Sequence, residues 1–434
     1  MIKDLKELRE ELEKLTDELR KRIKVDEHGI ARFSTDSVEP MDKIKDTLID
    51  FFVGEQLSEA EYWLDQVRRE VRRLVRNLDL RGFTYPREFN SFISDPRAHL
   101  RKKLFNYIDD LACGRIDVEE LLRKAAAALR TSLRTNLRSA YQIWCVAAII
   151  NELHEKLSYV LEFPEHRFLN FDRSGKQRLG IIPPNLVLIR YSKGYLSFFH
   201  EAPRPISWED TPDLKRVWSL YTALRPDMLV YSGKVMNIVN IPNDPPIKRP
   251  NVLIEIKETP DWYNRVRDLK GYLRKPLTAE EWRSKWKEGL HISLASIANV
   301  LNVKRSEVKR RVEEGASLRV REYKLLHLYV STYSPDKAVL ISKHPLPDDI
   351  REDIESRNVL VLDDVGFDKR KLAPLVEILD SIATFGDCRS VSVSLRVETL
   401  KKVMRMCAKI GLESESPEMC IESIIERLSR GHGS

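Results

Sequence analysis

Long uncharged apolar runs are missing from this chain. The most apolar helical stretch, "YQIWCVAAII" at 141–150, is far shorter than the roughly eighteen residues that mark a membrane span, and it begins beside arginines, so no membrane association is expected. No secretory leader is expected either, since "MIKDLKELREELEK" is charged from its third residue, and the expected location is cytoplasmic. Cysteine is sparse and unpatterned. Cys113, Cys145, Cys388, Cys407 and Cys420 are odd in number and contain no CxxC pair, which argues against a disulfide framework and a zinc site and leaves reduced, packed thiols as the expectation. Glutamine is scarce, with only Gln56, Gln66, Gln142 and Gln177, while 32% of residues are charged, a balance of the kind seen in thermophile proteins.

What is present is a globular composition. The 434 residues are 42% apolar and leave room for two or three domains with real cores. The net charge of +7 is only mildly basic, so charge informs more by its distribution than by its sum. Leu5, Leu8, Leu12, Leu15 and Leu19 alternate three- and four-residue steps. That spacing reads either as a short coiled-coil seam over 1–25 or as an amphipathic helix lying on its own domain. Helical periodicity returns after "DEHGIARFSTDSVEP", and 26–125 is expected to form a helical N-terminal domain. Within 121–157, Leu129, Leu133, Leu137 and Tyr141 follow one another at i+4, with Arg130, Arg134 and Arg138 in a second row beside them. The arginine row is either a solvated face or a match to the spacing of a phosphate backbone.

From residue 158 the pattern changes to short β-branched and aromatic runs: "YVLEF", "LVLIRYS", "YLSFFHE", "DMLVYS" and "VLIEIKE". Two further strands are expected at "YKLLHLYVST" and "KAVLIS", then a helix and strand in "DDIREDIESRNVLVLDDV". The predicted class is α/β, with a mixed sheet over 126–385 interrupted by a helical insertion at about 276–322. That insertion, "SLASIANVLNVKRSEVKRRVEEG" at its centre, scans equally as helix-turn-helix and as two packed helices.

The strand "RPNVLIEIKETP" carries charge where a buried strand should not. Val252, Ile254 and Ile256 share one face, and Leu253, Glu255 and Lys257 share the other. An earlier strand opens "RPDMLVYS", with Pro226 at its first position and Asp227 next. If the two strands pair, Asp227 and Glu255 can converge on one divalent cation, which would offset carboxylates that otherwise repel.

These residues, "RPD" and then "IEIK", resemble the motif of the PD-(D/E)xK nuclease superfamily. The resemblance implies a restriction-endonuclease-like core and a deoxyribonuclease activity using Mg²⁺ or Mn²⁺, with Asp227 and Glu255 as metal ligands and Lys257 as the catalytic lysine. The helix "YQIWCVAAIINEL" ahead of the sheet is similar to that of the nuclease subunits of modification-dependent restriction systems, which often carry Tyr-Glu-aliphatic-Trp there. Gln142 stands in place of the glutamate, so Glu152, with Glu155 next, is the substitute candidate for a further acidic ligand. "DLKGYL" occupies the place of a helix motif in that superfamily, and the resemblance makes Lys270 and Tyr272 candidate DNA or metal-shell contacts. Arg130, Arg134 and Arg138 join them as candidate phosphate contacts.

Near the C-terminus Val391, Val393 and Leu395 alternate with Ser390, Ser392, Ser394 and Arg396. A helix at about 398–410 ends at Gly411, and another starts with Ser416 as N-cap and Pro417 at its first position. The order strand, helix, turn, helix resembles the ribbon-helix-helix fold, a small module expected over 386–430. The resemblance implies a homodimer whose paired strands enter the major groove, with Ser390, Ser392, Ser394 and Arg396 facing DNA; a dimerisation module without DNA contact is the other reading. The expected whole is a metal-dependent DNA endonuclease acting as a homodimer. The alternatives are a non-catalytic DNA-binding regulator and an adaptor subunit working with an ATPase or helicase partner.

Overall fold

The computed structural model describes residues 4–25, 31–33, 35–171, 182–201, 226–240, 247–268, 298, 303–313, 319–386, 397–409 and a few helical positions between 419 and 425. Contacts divide the chain into two compact units, Met1–Gly386 and Asp387–Ser434.

The first unit is mixed α/β. Its elements in chain order are α1 (Leu5–Arg22), β1 (Ile23–Val25), β2 (Ala31–Phe33), α2 (Val38–Asn77), β3 (Gly82–Thr84), α3 (Arg87–Ser94), α4 (Pro96–Ala112), α5 (Val118–Leu157), β4 (Val160–Phe163), β5 (Phe168–Asn170), β6 (Leu186–Arg190), β7 (Gly194–His200), β8 (Met228–Ser232), β9 (Val252–Lys257), β10 (Val266–Asp268), α6 (Arg305–Glu313), β11 (Arg319–Arg321), α7 (Lys324–Tyr333), β12 (Lys337–Ser342), α8 (Asp348–Glu355), β13 (Val359–Leu362) and α9 (Ala373–Ile382). The helix starts are written in the sequence. Asp4 accepts from Lys6 and Glu7 N–H, Asp95 from Ala98 N–H with Pro96 at the first helical position, and Asp117 from Glu120 N–H.

One seven-stranded mixed sheet, ordered β13-β12-β9-β8-β7-β6-β4, forms the centre. The neighbours of β12, namely β9 and β13, run parallel to it, and the pairs from β9 through β8, β7 and β6 to β4 are antiparallel. Helix α5, 40 residues and roughly 60 Å long, joins the helical layer to the sheet. Its first half buries Leu121, Leu122, Ala125, Leu129 and Leu133, whereas Ala140 to Leu153 is buried on every side. A helix this apolar all round has no solvent face, and it packs against α2 and β9.

That arrangement bears on several expectations and selects, for the leucine spacing, the helix lying on its own domain. The leucine seam is used inside the chain: Leu8, Leu12, Leu15 and Leu19 are buried with α2, α4 and α5, and only Leu5 is exposed. The regions 26–125 and 126–385 share one hydrophobic core running from Leu8 to Ala383, because α5 belongs to both layers. "YKLLHLYVST" is the helix α7, not a strand. Its ten residues bury Leu325, Leu326, Leu328, Tyr329 and Tyr333, and an apolar run without alternation does not separate the two states. It lies on the crossover that parallel pairing of β9 with β12 requires. Most of the expected insertion at 276–322 lies outside the described residues; α6 and β11 fall at its end.

In the second unit, helix α10 (Val397–Lys409) matches the expected first helix. The strand before it, with Ser390, Ser392, Ser394 and Arg396, lies outside the described residues. Cys407 on α10 is disulfide-bonded, while Cys113 and Cys145 are free thiols. The expectation of uniformly reduced cysteines is therefore corrected; the absence of CxxC excludes only pairs close in sequence.

Among the described residues no helix is long and apolar enough to cross a membrane. Two details hold β7 and the strands beyond it to α9 and the segment that follows that helix. Gly194 opens β7 at φ +134°, and a Cβ there would come within 2.0 Å of the Thr384 backbone, so only glycine permits the close approach. Asp380 on α9 accepts from Tyr159 Oη at 2.8 Å, Arg190 Nη1 at 2.8 Å and Lys193 Nζ at 2.7 Å. Burial raises the Asp380 carboxyl pKa, but these three donors outweigh it and hold it below the usual aspartate range. A depressed folded pKa contributes stability that is present above the unfolded value, about 3.9, and is lost as pH falls through the folded value. Asp380→Asn is expected to lower stability by about 1–3 kcal/mol at pH 7. In thermal melts the gap to the unsubstituted protein should narrow below about pH 4; a gap independent of pH would assign the loss to shape and not to charge.

Candidate active site

The pairing that brings the two carboxylates together is present. β8 and β9 are antiparallel with Met228 opposite Ile254 and Leu229 opposite Leu253, which sets Asp227 across from Glu255 one step beyond the ladder. Asp227 N–H donates to Glu255 Oε2 at 3.3 Å. Asp227, Glu255 and Lys257 are 1%, 2% and 7% exposed, so the charges on β9 are inside the protein and not on a solvent-washed edge.

Each charged group has identifiable partners. Lys257 Nζ lies 2.8 Å from Glu255 Oε1 and 2.8 Å from Glu322 Oε1, and 5.3 Å from the centre of the Trp262 ring. Asp227 Oδ2 accepts from the backbone N–H of Ile256 at 2.7 Å. Asp227 Oδ1 accepts from Gln142 Nε2 at 2.6 Å and from Arg138 Nη2 at 3.0 Å, both on α5, which crosses the end of β8 at this point. Beside Lys257, the indole N–H of buried Trp262 has no acceptor among the described residues.

The electrostatics are those of a crowded carboxylate site. Burial, and then the neighbouring Asp227, push the Glu255 carboxyl up to about 7 against the pull of Lys257 and Arg138. Burial raises Glu258 as well, with Arg138 and Lys257 acting in the opposite direction. Burial would lower the Lys257 ammonium, but Glu255 and Glu322 outweigh it and keep the amine above its ordinary value and therefore protonated. Asp227 likewise raises the Arg138 guanidinium. Four buried carboxylates, Asp227, Glu255, Glu258 and Glu322, gather around Arg138 and Lys257, with Arg265 also acting on Glu258, so that among the described residues the acids outnumber these cations.

That excess, carried on hard oxygen donors, fits a divalent cation. Among the described residues no group of three or more His, Cys, Asp or Glu gathers as a metal site, so the protein ligands available are two carboxylates, Asp227 and Glu255. One or two carboxylates with retained waters is a common way to hold Mg²⁺.

Not every expected residue joins. Glu152 lies ten residues beyond Gln142, roughly 15 Å farther along the helix, and its carboxylate is engaged by Lys156 at 2.6 Å and Lys369 at 2.7 Å. Glu155 pairs with Lys369 at 3.0 Å and with Arg73. The substitute-ligand assignment is thereby corrected: both acids are structural ion-pair partners on a different stretch of α5. Arg130 and Arg134 are exposed, whereas Arg138, expected to face phosphates with them, turns onto Asp227. Lys270 and Tyr272 lie outside the described residues.

Glu322, Glu258 and Trp262 were not singled out by the sequence. Glu258 directly follows Lys257, so a signal was present. Glu322 follows β11 in a stretch that carries no motif, and only tertiary folding brings it to Lys257. Compared with protein-family models, curated proteins and solved structures, the chain matches none.

The raised Glu255 carboxyl has a stability consequence. Between the ordinary glutamate value near 4.5 and about 7, the folded protein keeps a proton that the unfolded chain has lost, so stability falls as pH rises through that window. Glu255→Gln is expected to raise the melting temperature at pH 8 by about 2 °C or more and to leave it nearly unchanged at pH 5. A lower melting temperature at pH 8 would show that the carboxylate is net stabilising there.

Proposed function

We propose that the protein is a metal-dependent phosphodiester hydrolase acting on DNA, with a restriction-endonuclease-like core of the PD-(D/E)xK kind. The observation that carries this reading is the register that sets Asp227 beside Glu255, with Lys257 two residues on and the arginine row of α5 leading to them. In this reading Asp227 and Glu255 hold Mg²⁺ or Mn²⁺. When bound, such a cation supplies a water of lowered pKa and offsets charge building on the phosphoryl oxygens. Lys257, protonated and fixed between Glu255 and Glu322, orients the attacking water and faces the phosphate as a point charge. The unpartnered Trp262 N–H offers a donor to a substrate oxygen or a water beside that lysine. Arg130 and Arg134, exposed along one face of α5, contact the phosphate backbone outside the site. The ribbon-helix-helix resemblance of Asp387–Ser434 supports a homodimer, in which two sites would suit cleavage of both strands.

A second reading, a DNA-binding protein that kept a nuclease-like scaffold, is favoured by one observation: the Arg138 guanidinium and the Gln142 amide bond Asp227 Oδ1 while Ile256 N–H bonds Oδ2, so both oxygens of the expected metal ligand are engaged by protein donors.

The two readings are separated by incubating the purified protein with linear and supercoiled DNA, with Mg²⁺ and with a chelator. The hydrolase reading expects cleavage only with the cation, slowed about a hundredfold or more in Asp227→Ala and in Lys257→Ala. Full-rate cleavage by Asp227→Ala would overturn the site assignment. DNA binding without any cleavage would establish the second reading.

A further inference from the structure

Of the three groups that donate to Asp227, one differs in kind. Ile256 N–H is fixed in β9, and Gln142 is 3% exposed and uncharged. The Arg138 side chain is 42% exposed along its length although the carboxylate it meets is 1% exposed, so the side chain runs from solvent to the buried carboxylate that its guanidinium bonds. It ends a row whose other members, Arg130 and Arg134, are exposed and form no ion pair among the described residues. Because Gln142 supplies a hydrogen bond and no charge, Arg138 is the positive group bonded to Asp227.

We infer that Arg138 is the resident cation of the site: it occupies Asp227 until a divalent cation takes its place, and then moves to a phosphate of the polyanion. This rests on the metal-dependent reading above. A cation ligated by Asp227 Oδ1 competes directly with the guanidinium, and a displaced guanidinium left beside a dication is repelled by it. The exchange becomes favourable when a phosphate diester is at hand, because arginine forms paired, charge-assisted bonds to phosphate oxygens. Divalent cation and DNA therefore bind with positive coupling, and by linkage each strengthens the other by the same factor. The site stays closed to the cation until substrate is on the α5 row.

The test is calorimetric titration of the full chain with Ca²⁺, an oxygen-seeking probe of binding, in the absence and presence of a short DNA duplex. The unsubstituted protein should bind Ca²⁺ weakly alone and about tenfold more tightly with duplex. Arg138→Ala should bind Ca²⁺ about tenfold more tightly than the unsubstituted protein without DNA, and gain little from adding it. Arg134→Ala removes the same charge one turn away and should leave the affinity for Ca²⁺ alone within about twofold. Arg138→Lys, which keeps a charge but loses the forked geometry, should fall between, and guards against misfolding of the alanine variant. Equal Ca²⁺ affinity in the unsubstituted protein and Arg138→Ala overturns this inference alone, as does an equal gain in Arg134→Ala, which would be a general field effect. Absence of Ca²⁺ binding in every variant, with and without duplex, overturns the metal-dependent reading together with it.

Discussion

The register between β8 and β9 is the constraint on which the rest of this site depends. With Met228 fixed opposite Ile254, the chain sets Asp227 and Glu255 side by side in the interior, where water cannot hydrate them. Two carboxylates in that position cost free energy through lost solvation and mutual repulsion, and both costs, burial first and then the neighbouring Asp227, appear in the raised Glu255 carboxyl. The surrounding groups answer that cost. Lys257 bridges Glu255 to Glu322, Gln142 and Arg138 reach down from α5, and the backbone of Ile256 turns a donor inward. These contacts meet each oxygen's need for a donor without balancing the charge, since Glu258 and Glu322 add carboxylates of their own.

The fold supplies rigidity at this point. The second half of α5 is enclosed between α2 and the sheet, so Arg138 and Gln142 project from a helix that cannot drift, while Asp227 and Glu255 stand at the ends of strands in the middle of a seven-stranded sheet. Rigid elements hold reacting groups more closely than loops do. The adaptable component is the long, half-exposed arginine side chain, and the account places the site's responsiveness there.

Much of this was legible in the sequence, and the parts that were not share a physical reason. The charged residues on the apolar strand "VLIEIK", and the Pro-Asp opening "MLVYS", mark strands and their faces by alternation, whereas the pairing that sets Asp227 across from Glu255 is a tertiary fact that the sequence offers only as a condition. "YKLLHLYVST" forms a helix and not a strand because its β-branched and aromatic residues suit either state, and its mostly buried positions 325–329 show neither clean alternation nor a clear helical stripe. Glu152 was misplaced because a helix carries acids at many positions, and only the packing of α5 on the sheet decides which turn meets Asp227. The row Arg130, Arg134 and Arg138 is evident at i+4 spacing, yet its members differ in partner, which depends on where the helix crosses β8. Glu322 reaches Lys257 through the tertiary fold alone, and no local pattern reports that.

The central claim is that the carboxylates joined by the β8–β9 register form a divalent-cation site. It is tested most directly by a crystal structure of the protein grown with Mn²⁺ and a DNA duplex, using the metal's anomalous scattering to locate it. The account predicts a strong anomalous peak bonded to both Asp227 and Glu255, with Arg138 moved from Asp227 to a phosphate. An Mn²⁺-saturated crystal with no peak at those carboxylates, and Arg138 still bonded to Asp227, would contradict it.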